Sequence, residues 1–60
     1  MKYNVFFLRE DGSPSPHGPA PIDASGIVDA QRIAQLTLED LQDSGMMDGW
    51  SIYTVIEAAP

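Results

Sequence analysis

Four prolines at positions 14, 16, 19 and 21 constrain this chain more than any other feature. No helix tolerates that density, because each ring removes a backbone donor and clashes with the preceding turn. A central strand is excluded for the same missing N–H. Residues 10–19 therefore read as a loop, opened by the turn-forming run Glu10-Asp11-Gly12. Ala20–Asp23 reads as a short edge strand, so the Pro/Gly-rich stretch covers about residues 10–22. Pro16-His17-Gly18-Pro19 has PxxP spacing, but its glycine and the lack of a flanking base favour a stiff connector over a recognition segment.

The segments on either side carry the regular structure. Val5, Phe6, Phe7 and Leu8 are consecutive and apolar, and with Tyr3 they predict a strand over 2–9. Alternation puts Tyr3, Val5 and Phe7 on one face and Asn4, Phe6 and Leu8 on the other. Residues 27–43 predict the one long helix, with Ile27, Ala30, Ile33, Ala34, Thr37, Leu38 and Leu41 on a single face. Ser25, Asp23 or Asp29 is the candidate cap at its start, and Ser44-Gly45 the stop. Residues 50–58 predict a second main strand in which Trp50, Ile52, Thr54 and Ile56 alternate with Ser51, Tyr53, Val55 and Glu57. The expected fold class is α+β: a small two- or three-stranded sheet packed by a single helix, in β-loop-α-β order. A connection that carries a helix allows the two main strands to lie parallel and adjacent. One helix covers one face, so apolar surface is expected on the other, where Phe7 or Tyr53 could join two copies in a homodimer through the uncovered sheet face.

Sixty residues form one acidic domain, residues 1–60, with nine acids against three bases and a net charge of −6. That charge repels nucleic acid and anionic lipid, so direct binding to nucleic acid or to a membrane is not expected. No apolar run approaches the length of a membrane span, the start lacks a signal-peptide core, and cysteine is absent, all of which fit the cytoplasm. His17, the sole imidazole, stands in a Pro/Gly loop, a poor place for catalytic geometry. Glu10-Asp11 and Glu39-Asp40 are adjacent acids with no second lobe to bury either one. A chain this short is also expected to lack room for a ligand pocket of about 300 Å³ or more. Thiolate zinc ligands, EF-hand spacing and phosphate-cradling glycine motifs are missing. The expectation is a non-enzyme with no catalytic residues, no cofactor and no metal.

What remains is the outer face of the helix. Asp29, Glu39, Asp40 and Asp43 gather there opposite the core stripe, with Arg32 among them, and Asp48 follows in the connector. Leu36 lies within the same acidic ring, the layout of an apolar anchor with a polar rim. Glu39, Asp40 and Asp43 occupy the last turns, where the helix dipole is already negative. Such placement lowers stability, so it points to a basic partner as well as to solubility. Asp29 to Asp43 would span about 21 Å, close to six phosphate steps of a duplex strand. Met46 and Met47 offer adaptable apolar contacts nearby. The candidate partner-binding residues are Asp29, Leu36, Glu39, Asp40, Asp43 and Asp48, and the expected partner is the basic surface of a nucleic-acid-handling protein.

In size, acidity, missing cysteine and lone acidic helix on a tiny sheet, the chain resembles the small acidic anti-CRISPR proteins of phages and mobile elements. Those proteins share no common motif. The resemblance implies an inhibitor of a CRISPR surveillance complex, with Asp29, Glu39, Asp40, Asp43 and Asp48 imitating DNA phosphates. Met1-Lys2-Tyr3-Asn4-Val5, Asp11-Gly12, the proline stretch and the alanine-containing helix are also similar to the partial RNase-like domain of HicB-type antitoxins. That family's second and third strands would fall in the proline stretch, and its Gly-Cys turn is absent. This second resemblance implies an antitoxin that neutralises a basic RNase toxin.

Overall fold

The computed structural model describes residues 1–58. The order of elements is β1 (Lys2–Leu8), β2 (Ala20–Asp23), α1 (Ile27–Asp43) and β3 (Ser51–Glu57). The three strands form one sheet in the order β2-β1-β3, antiparallel at both junctions, and α1 packs on one face. This is a small α+β fold.

The two main strands, β1 and β3, are neighbours as the sequence suggests, but they run antiparallel instead of parallel. The cause is β2. It turns the chain back against β1 before the helix begins, so the helical crossover links β2 to β3. Those two strands are parallel to each other, with β1 between them. Pro21 is accommodated because β2 is a four-residue edge strand. The loop before it is tied to the sheet where Ser15 N donates to Phe7 O at 3.1 Å and Pro14 bridges Leu8.

Tyr3, Val5 and Phe7 alternate onto the helix-facing side of β1 and are buried there with Ala24, Ala30, Ala34 and Leu38. Alanines at positions 30 and 34 let the helix backbone come close to the sheet. Phe7 is thus a core residue, unavailable for self-association. Strict alternation fails in β3. Phe6 faces Thr54 but Phe7 faces Ile52, so Tyr53 is an extra residue in a bulge. The bulge shifts the phase of the pleat. Ile52 and Val55, three apart, both pack against the core, while Tyr53 is exposed. Trp50 lies just before the strand and packs against the same core.

Helix α1 occupies the residues that periodicity predicts, but its buried arc is narrower. Ile33 and Leu41 are half-buried, and Ile27 and Thr37 are exposed. The Thr37 hydroxyl donates to Ile33 O at 2.8 Å, which satisfies it without burial. None of the expected residues supplies the N-cap. Gly26 holds that position with no side-chain hydrogen bond. The helix ends in a Schellman arrangement: Met46 N donates to Leu41 O at 2.9 Å and Gly45 N to Gln42 O at 3.0 Å. Gly45 takes φ +83°, the left-handed conformation this motif requires.

Candidate functional site

Folding distributes the charges unevenly. Two of the three bases are neutralised away from the helix C-terminus. Lys2 pairs with Asp23 at 2.9 Å, and Arg32 pairs with Asp29. Arg9 donates from Nε to Ser13 Oγ at 2.9 Å beside Asp11. Among the described residues Glu39, Asp40, Asp43 and Asp48 have no ion-pair partner. No basic residue occupies the last turn of α1 to offset the negative end of the helix dipole. Glu39 accepts one hydrogen bond, from Gln35 Nε2 at 3.1 Å.

Tertiary structure adds a fifth carboxylate, Glu10, which in the sequence stands only as one of the adjacent acids Glu10-Asp11. Because Leu8 pairs with Ser51, the end of β1 runs beside the 46–49 connector. A Cβ placed on Gly49 would lie 2.9 Å from Glu10 Cβ. Glu10 thereby joins the acidic end of the molecule. No periodicity could reveal this, since Glu10 and Gly49 approach only through strand pairing.

Asp29 sits at the opposite end of the helix and is engaged locally. Its Oδ2 accepts from Ser25 N at 3.1 Å and from Ser25 Oγ at 3.2 Å. The hydrogen bond from the Ser25 backbone, followed by that from Arg32, holds its carboxyl below the usual value of 3.8. Asp29 therefore secures the helix start. Leu36, 50% exposed, stands between the two ends on the outer face.

A second feature contradicts the expectation that so short a chain lacks room for a pocket. The proline-rich loop stands off from the connector after α1 and leaves a groove of about 430 Å³. Phe7, His17, Pro19, Met46, Met47 and Trp50 line it. The Ser15 hydroxyl on its wall accepts from the backbone N–H of His17 at 3.3 Å. No group of three or more His, Cys, Asp or Glu side chains suited to a metal ion occurs among the described residues. No helix among them is long and apolar enough to cross a membrane.

Chemically, the unpaired carboxylates suit cationic groups, and the groove suits an apolar one. Comparison with family models, with curated proteins and with solved structures gives no match.

Proposed function

We propose that this chain is a non-enzymatic inhibitor of anti-CRISPR type, which lays the acidic end of α1 on the basic nucleic-acid-binding surface of a CRISPR surveillance complex. One observation carries the reading. Glu39, Asp40 and Asp43 on the last turns of α1, Asp48 in the connector after it and Glu10 beside that connector have no cationic partner among the described residues, at the helix end where negative charge is least favourable. A marginally stable domain of 60 residues gives up stability by this placement. A lysine- and arginine-lined channel built for phosphates would recover it on binding. Leu36 supplies an apolar contact on the same face, and Asp29 secures the helix that presents the others.

The test is inhibition and capture of a CRISPR effector complex from a host that carries one, with the target DNA as competitor. The double reversal Asp40→Lys/Asp43→Lys should abolish binding while circular dichroism stays unchanged. Undiminished inhibition by that variant overturns the acidic-end mechanism. Protection against a basic RNase, without any effect on CRISPR interference, would favour the antitoxin reading.

A second reading, self-association through the uncovered sheet face, is favoured by the exposure of Tyr53 and Ile56. It predicts a dimer by light scattering that Tyr53→Glu dissociates. A monomer at high concentration overturns it.

A further inference from the structure

The groove and the unpaired carboxylates meet at one end of the molecule. Asp48 lies between two groove residues, Met47 and Trp50, and Asp43 lies three residues before Met46. Glu10 abuts Gly49 in the same connector. The connector that forms one wall of this apolar trough thus carries Asp48 within it, follows Asp43 closely in the chain and has Glu10 packed beside its Gly49.

The connector that walls the groove is held in a fixed shape. Gln42 Nε2 donates to Met47 O at 3.4 Å and to Trp50 O at 3.1 Å, and Trp50 N donates to Met47 O at 3.0 Å. Met47 adopts φ +55°, the one non-glycine residue with positive φ among those described. A side chain kept in that uncommon region tends to mark a ligand-contacting or switching segment. In this connector Met46 and Met47 both line the groove, together with His17 and Pro19 from the proline-rich loop. Thioether side chains are soft, adaptable surfaces for an aromatic ring. Trp50 offers an indole to the same space.

We propose that this groove receives an aromatic side chain from a basic segment of the protein's partner, the lysines or arginines flanking that side chain being held by Asp43, Asp48 and Glu10. Charge complementarity selects the occupant. A neutral apolar ligand would leave the acidic border unused, and an acidic one would be repelled. The inference rests on the reading of the acidic end as the partner-binding surface, and adds the anchor that such a surface needs for affinity and register.

Trp50 is the only tryptophan, so the indole emission comes from one residue, and that residue lines the groove. The probes are the peptides Lys-Lys-Phe-Lys-Lys and Lys-Lys-Ser-Lys-Lys at low ionic strength. The phenylalanine peptide should bind at least tenfold more tightly and shift the Trp50 emission, whereas the serine peptide should leave it unchanged. His17 and Met46 are exposed, so His17→Ala and Met46→Ala should preserve the fold. Each should reduce the phenylalanine preference to below about threefold. Asp43→Asn/Asp48→Asn should weaken both peptides equally. Equal affinity of the two peptides, absence of binding by either, or a preference that survives both groove variants overturns the proposal. The two readings fail separately. Inhibition that persists in Asp40→Lys/Asp43→Lys sinks the acidic-end mechanism. Loss of the phenylalanine preference in the native chain sinks only the groove.

Discussion

Asp43→Lys should make the free protein more stable and its complex weaker. In the native chain the Asp43 carboxylate lies on the last turn of α1, with Glu39 and Asp40 four and three residues before it and no base nearby in that turn. Removing a negative charge from the C-terminal dipole is worth about 0.3–1 kcal/mol. Converting two like-charge neighbours into attractive pairs adds roughly 0.2–0.5 kcal/mol for each pair. Together the gain is about 1–2 kcal/mol at low ionic strength. For a domain of this size about 1 kcal/mol moves Tm by roughly 4–8 °C. The assay is thermal unfolding by circular dichroism at low salt and again at about 1 M salt, where screening shortens to about 3 Å and most of the gain should vanish. A variant that melts at or below the native temperature at low salt would refute the electrostatic reasoning. So would a gain that salt does not diminish. Stabilisation of the free chain together with loss of partner binding is the signature of charges placed for a partner.

Three further outcomes follow from the packing. Leu38→Ala should cost about 2–5 kcal/mol, a large share of the roughly 3–9 kcal/mol available to 60 residues; Leu38 is 4% exposed at the centre of the core, and a chemically folded variant with near-native denaturant midpoint would contradict its role. Gly49→Ala should destabilise by about 2 kcal/mol against about 1 kcal/mol for Gly45→Ala; both glycines have positive φ, but only at Gly49 does the new Cβ meet Glu10, so equal urea midpoints for the two variants would remove Glu10 from the acidic end. Asp29, whose carboxyl is held below 3.8 by the Ser25 backbone and Arg32, stabilises the helix start fully above that value and loses this contribution as pH falls through its lowered folded value. Native and Asp29→Asn proteins should therefore converge in stability at strongly acidic pH and differ near neutrality, and a difference that persists in acid would count against the assignment.

Local sequence signals were strong where one element could be read without its neighbours. The apolar spacing from Ile27 to Leu41 and the Ser44-Gly45 stop define the helix, because a stripe and a cap are properties of one segment. The four prolines likewise restrict residues 10–19 to a loop. The acids on α1 were legible by the same periodicity. Glu10 was not, because it reaches the site through strand pairing, and the groove was not, because its two walls are 27 or more residues apart in sequence, His17 and Pro19 against Met46 and Trp50. The bulge at Tyr53 was hidden for a related reason: alternation assumes an unbroken pleat, and only the fit of Ile52 and Val55 against the helix requires the break.

By itself, then, the amino-acid sequence determined the class of fold, the span of the helix, the proline loop and the negative charge of the outer helical face, since each follows from chain sterics or from a repeat within a single segment. Tertiary structure decided the strand directions, the burial of Phe7, the local engagement of Asp29, the approach of Glu10 to the connector and the apolar groove between that connector and the proline-rich loop. Those features depend on where separate segments come to rest against one another, and long-range packing sets that position.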